Sequence, residues 1–113
     1  SVGSSYLKEE TVDKTFEIIS KEETNNKTEY VVTQKGFVST IKARVLVSSN
    51  VIEKLEILEQ NESYYQYIID ANYLETLETN DIENIDTVSG ATRTSTALKE
   101  MIRKVLADYE KAN

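Results

Sequence analysis

The sequence predicts an α+β fold: a small antiparallel sheet flanked by helices, closing on a long C-terminal amphipathic helix. Three observations carry that prediction. Consecutive runs rich in β-branched residues lie between Glu29 and Leu58, separated by turn signals; the last fifteen or so residues repeat apolar positions every three and four; and with no Pro and three Gly in the chain each Gly is informative, Gly36 falling between two of the strand-like runs. At 113 residues the chain reads as one domain spanning 1–113.

The Ser-rich opening, Ser1-Val2-Gly3-Ser4-Ser5, reads as a frayed terminus reaching to about residue 8. From Glu9 to Ile19, Val12, Phe16 and Ile19 have helical spacing, with Thr11 or Asp13 as the cap. The polar run Lys21–Lys27 is expected as a turn or loop. Three strands are then expected, at Glu29–Gln34, Phe37–Ser48 and Ile52–Leu58. In the second, Ile41, Ala43, Val45 and Val47 alternate with Thr40, Lys42 and Arg44; in the third, Ile52, Leu55 and Ile57 stand against Lys54 and Glu56. Gly36 marks the first junction, and Ser48-Ser49-Asn50 marks the second.

Tyr64, Tyr67, Ile68, Ala71 and Leu74 fit one face of a helix over Tyr64–Glu78, although Tyr64–Ile69 also has high β propensity. Ile82–Val88 is expected to be extended. In the last element Leu98, Met101, Ile102, Val105, Leu106 and Tyr109 form the apolar stripe, with Lys99, Arg103 and Lys104 outside it. Thr92, Thr94 or Ser95 supplies an N-cap worth about 1 kcal/mol.

Composition narrows the function. With neither Cys nor His, the chain has no disulfide, iron–sulfur ligand, imidazole base or ordinary zinc site, so any redox chemistry belongs to a bound organic cofactor. A net charge of −7 argues against a nucleic-acid partner. Between Glu53 and Asp86 the single basic residue is Lys54; such a stretch is either a solvated acidic surface or a docking face. No run approaches the roughly 20 apolar residues of a membrane span, so direct insertion is not expected. The chain begins with Ser and its one Met is Met101, which suggests a mature segment whose signal or anchor lies outside it. No carboxylate spacing suggests a hydrolase or a metal enzyme.

The segment Asp86-Thr87-Val88-Ser89-Gly90-Ala91-Thr92-Arg93-Thr94-Ser95 is where chemistry concentrates. It stands just before the C-terminal helix, whose unpaired N–H groups and dipole favour an anion. Gly90 allows close backbone approach and Ala91 keeps it uncrowded. Ser89, Thr94 and Ser95 carry hydroxyls suited to phosphate oxygens, and Arg93 carries charge. Thr92 is β-branched, so a group esterified to it points in few directions. The same letters also spell a turn followed by a helix cap.

Asp86, Ser89, Gly90, Ala91, Thr92, Thr94 and Ser95 together resemble the Asp-x-x-Ser-Gly-Ala-Thr-x-Thr-Ser signature of FMN-binding domains. Those domains occur in Rnf-type and Nqr-type respiratory complexes and in short extracytoplasmic flavoproteins. Gly36-Phe37-Val38-Ser39-Thr40-Ile41 and Ile52–Leu58 resemble that family's Gly-aromatic turn and two strands, so the likeness runs from Gly36 to Tyr109. It implies FMN joined to Thr92 through a phosphoester, donated from FAD by a separate flavin transferase with release of AMP. It further implies an electron-transfer domain, extracytoplasmic and anchored to the cell membrane by a segment absent from this chain, with membrane redox proteins as partners. Asp86 is the family's acidic position and either orients the loop, assists modification or caps a turn.

The sequence departs from the family in one loop. Larger members carry Glu-Thr-Pro-Gly-x-Gly where this chain has Glu62-Ser63-Tyr64-Tyr65, and the stretch onward to Asp86 is short, as in small stand-alone domains. Tyr64 or Tyr65 is placed either to stack on a flavin ring or to pack in the core. The acidic surface would disfavour a negatively charged reduced flavin and lower its potential. The alternative reading is a binding module of the same fold, without tightly bound flavin, that docks a protein partner through its acidic face.

Overall fold

The computed structural model describes residues 14–112. Among them four strands form one antiparallel sheet in sequence order: β1 (Phe16–Thr24), β2 (Lys27–Lys35), β3 (Thr40–Ser48) and β4 (Val51–Glu59). Two short helices follow, α1 (Tyr65–Asp70) and α2 (Tyr73–Thr76), then a 3₁₀ turn at Ile82–Asn84 and the long helix α3 (Thr92–Ala112). This is the expected α+β architecture.

Two hairpins are built alike. Thr24 pairs with Lys27 and Ser48 with Val51, leaving two-residue loops whose residues all have positive φ: Asn25 and Asn26 at 53° and 67°, Ser49 and Asn50 at 52° and 65°. That is the primed turn whose twist matches the flanking strands, and Asn tolerates it. The β2–β3 connection is longer, with Gly36 to Ser39 lying between the Lys35–Thr40 pair.

Side-chain parity then decides the core. Tyr30 and Val32 from β2, Ile41, Ala43, Val45 and Val47 from β3, and Ile52 and Leu55 from β4 point to one face and are buried. Ile52 and Leu55 share that face, though three residues apart, because the β3–β4 register shifts between Leu46 and Val47. α3 lies chiefly across β2 and closes this face with Leu98, Met101, Ile102, Val105, Leu106 and Tyr109. Each such aliphatic or aromatic side chain contributes about 1.5–3 kcal/mol on burial. Among the described residues no helix packs on the opposite face, and on it Arg44 bridges Glu29 and Glu56 at 3.0 Å each.

The structure differs from sequence expectation at four places, one being that the strand expected from Phe37 begins at Thr40, with Phe37–Ser39 in the β2–β3 turn. The helix expected over Glu9–Ile19 is β1 from Phe16 onward, and the loop expected from Lys21 narrows to Asn25-Asn26; residues 9–13 lie outside the described residues. Ile19 is an exposed apolar residue at a bulge between Ile18 and Ser20, so its three-residue spacing from Phe16 does not mark a helical face. The helix expected over Tyr64–Glu78 is split at Asn72, whose φ of 51° is left-handed, and Ile68, Tyr73 and Leu77 form the buried positions instead of Tyr64, Tyr67 and Ala71. Within Ile82–Val88 the first residues make a 3₁₀ turn that buries Ile82, held by Lys99 Nζ on the Ile85 carbonyl (2.7 Å) and by Arg103 on Glu83 (2.8 Å).

Edge strand β4 is covered where α2 ends. The Leu55 amide donates to Glu78 Oε2 at 3.0 Å and the Ile52 amide to the Thr79 carbonyl at 3.2 Å, so part of its outer ladder is satisfied.

Candidate functional site at the mouth of the long helix

The signature residues separate into two sets by where α3 places them. Asp86, Ser89, Gly90, Thr92 and Arg93 are exposed; Ala91, Thr94 and Ser95 are buried. Helical spacing is the cause: Thr94 and Ser95 share the inner stripe with Leu98, Met101 and Ile102, while Thr92 and Arg93 face outward.

The turn before the helix is held by backbone and by one serine. The Ala91 amide bonds the Val88 carbonyl at 3.0 Å, closing a turn in which Gly90 has φ +89°. The Ser95 hydroxyl reaches back to the Ala91 carbonyl at 2.8 Å and accepts the Val88 amide at 2.9 Å. The first intrahelical bond runs from the Ser95 amide to the Ala91 carbonyl. Ala91 therefore occupies the cap position and Thr92, Thr94 and Ser95 lie inside the helix, which corrects the expectation that one of them is the N-cap. Among the described residues, the amides of Thr92, Arg93 and Thr94 make no backbone bond.

Two hydroxyls expected to face a phosphate have internal partners. Ser95 holds the turn as described, and Thr94 donates to Glu62 Oε1 at 2.5 Å. Ser89 stays on the exposed side with Thr92. Asp86 is also exposed, and its charge, after burial, helps raise the Tyr73 hydroxyl above its ordinary pKa; that hydroxyl is buried without a hydrogen-bond partner.

Two elements distant in sequence complete the surroundings. From α1, Tyr67 lays its ring against Gly90: a Cβ there would meet the ring at 3.2 Å. Tyr64 lies beside it, ring centroids 6.5 Å apart, and both residues are 51% exposed. From the β2–β3 turn, Phe37 places its ring 5.2 Å from the Arg93 guanidinium. Of the two tyrosines expected near a flavin, Tyr64 is on this surface, whereas Tyr65 is half-buried in a groove against β4 and its hydroxyl is pushed up by burial. Tyr67 and Phe37 are the neighbours that sequence reasoning missed. In sequence Tyr67 fits one face of the expected helix and Phe37 the start of a strand, and no local pattern links either to the turn at Gly90.

Glu62, also unassigned from sequence, joins the pieces. It is 8% exposed and its carboxylate accepts from the amides of Phe37 (2.7 Å), Val38 (3.2 Å) and Ser39 (2.8 Å), from the Ser39 hydroxyl and from Thr94. Burial pushes its pKa up, but the hydroxyls of Ser39 and Thr94 and the amides outweigh that, leaving the carboxyl below its ordinary range.

The turn gathers groups whose chemistry suits a phosphate. An exposed Thr stands at the start of a 21-residue helix, beside amides without backbone partners, a glycine in the left-handed region and the partly exposed ring of Tyr67 that packs on that glycine. The family model described as FMN-binding domain matches residues 36–107, and the chain belongs to that family. No curated protein and no solved structure matches the chain. It is a flavin-binding domain. Among the described residues no helix is long and apolar enough to cross a membrane.

Proposed function

We propose that this domain carries FMN covalently on Thr92 and passes electrons within a bacterial membrane-associated redox chain. The observation that carries the reading is the exposed Thr92 hydroxyl, set at the open mouth of α3 next to Gly90, inside the region matched by the family. Modification makes one bond and breaks one. Thr92 Oγ bonds to the FMN-side phosphorus of FAD, the phosphorus–oxygen bond to the AMP half breaks, AMP departs, and the hydroxyl proton passes to a base on a separate flavin transferase. The cofactor, once attached, supplies the electron transfer for which Cys- and His-free side chains have no groups.

This chain's residues then have distinct tasks. Thr92 tethers the phosphate, the amides of Thr92, Arg93 and Thr94 and the helix dipole favour its charge, and Arg93 can swing from Phe37 to pair with it. Ser89 adds a hydroxyl from the exposed side. Tyr67, Tyr64 and Phe37 offer aromatic surface to an isoalloxazine ring. We place the domain on the outer side of the membrane, anchored through a segment not in this chain, with membrane redox proteins as partners.

Coexpression with a flavin transferase tests the reading. The expected product is yellow and heavier by one FMN moiety, and Thr92→Ala is unmodified. A colourless, unmodified wild-type protein favours instead a binding module of the same fold.

A further inference from the structure

The geometry points to Glu62 as a positioning residue for Thr92: by joining the β2–β3 turn to the inner side of α3's first turn, it sets where the acceptor hydroxyl stands. This rests on the reading that Thr92 is the point of attachment.

Glu62 ties together two segments that the backbone does not. Its Oε1 accepts from the Phe37 amide and the Thr94 hydroxyl; its Oε2 accepts from the amides of Val38 and Ser39 and from the Ser39 hydroxyl. Five donors around one carboxylate use its full acceptor capacity, and a neutral acid would set its own proton against them. Thr94 is two residues past Thr92 and on the opposite side of the helix, so fixing Thr94 fixes the rotation and height of the turn that displays Thr92. The same carboxylate holds Phe37, over which Arg93 lies at 5.2 Å, so the outward side of that turn is aligned through Glu62 as well.

Gly36 supplies an independent mark of the arrangement. A Cβ at Gly36 would stand 2.7 Å from Glu62 Oε1 and within 2.9 Å of the other carboxylate oxygen, so the turn opens with a residue that leaves the carboxylate its place.

A nucleophile must meet phosphorus in line, and a shift of about 1 Å in such an arrangement can cost on the order of 100-fold in rate. Thr94→Val keeps the side chain's shape and all four bonds from the β2–β3 turn, and removes the link to α3. With the purified domain, FAD and flavin transferase, initial rates are read as FMN mass gained, at a temperature well below each variant's melting point. Thr94→Val is expected to lower kcat roughly 10- to 100-fold with KM for the acceptor domain near wild type. Thr94→Ser, which restores a hydroxyl, is expected to recover most of kcat. Glu62→Gln is expected to behave like Thr94→Val or worse.

If Thr94→Val melts earlier yet is modified at the wild-type kcat, Glu62 only stabilises the fold and the proposal is overturned. A wild-type protein that gains no FMN, or a Thr92→Ala variant that gains it, overturns the attachment reading and this inference with it. Loss of the positioning role alone shows as a Thr92-specific adduct formed equally fast in every variant.

Discussion

The ring of Tyr67 covers Gly90, so that a methyl group on the glycine would lie 3.2 Å from Cδ1 and Cε1 of the tyrosine. Gly90 also has φ +89°, where an L side chain is strained whatever the space. The two objections can be separated. Gly90→Ala is expected to destabilise by about 1–3 kcal/mol, read as a lower denaturant midpoint. Because Tyr67 is half exposed, its ring can yield, so most of the loss should persist in Gly90→Ala/Tyr67→Ala. A double variant restored to the stability of Tyr67→Ala alone would mean that contact, and not backbone strain, requires the glycine.

Gly36 is glycine for a different reason. A Cβ there would come within 3.0 Å of all three atoms of the Glu62 carboxylate group, which is pinned by five donors and cannot withdraw cheaply. Gly36→Ala is therefore expected to cost about 1–3 kcal/mol as an overpacking change. Its denaturant midpoint should fall, and the fall should shrink in a Glu62→Ala background, where the clash is gone.

Which features were legible in sequence follows from whether they are local. β3 and α3 were readable because Ile41–Val47 alternate without a break and Leu98–Tyr109 keep helical spacing, each pattern lying within one element. The Asp86–Ser95 segment was readable as a site because its letters are contiguous. β1 is hard to read in sequence because apolar Ile19 sits on the exposed side directly after Ile18, and α1–α2 because Asn72 turns left-handed inside an otherwise helical pattern. Thr94 and Ser95 read in sequence as phosphate donors or cap residues because their inner placement depends on where α3 begins. Glu62 and Tyr67 act across gaps of 32 and 23 residues, to Thr94 and Gly90, and no local pattern encodes such a contact.

At the far end of α3, Tyr30 and Lys21 share one carboxylate. The Tyr30 hydroxyl donates to Asp108 Oδ2 at 2.7 Å and Lys21 Nζ to the same oxygen at 2.8 Å. Burial, and then Asp108, push the Tyr30 hydroxyl well above its ordinary pKa, so it remains a donor throughout the usable pH range. Tyr30→Phe removes the buried donor and leaves Asp108 its lysine. The expected loss is about 1 kcal/mol in a urea titration, with an unchanged m-value.

The state of Glu62 makes stability depend on acid in a definite direction. Its folded-state pKa is below the ordinary 4.5 because the donors from Ser39, Thr94 and the β2–β3 turn outweigh the burial that opposes them. A group whose pKa is depressed on folding contributes stability that is complete above its unfolded value and is lost as pH falls through its folded one. Wild-type protein should therefore exceed Glu62→Gln in unfolding free energy at neutral pH, and the gap should close as pH drops below about 4.5. Asp108, also held below its ordinary range by Lys21 and Tyr30 against burial, contributes acid lability of the same sign, so Asp108→Asn serves as the parallel control. Denaturant midpoints from pH 7 down to roughly pH 3 check the point. If the gap between wild type and Glu62→Gln stayed constant across that span, the carboxylate would not be held ionised by its five donors.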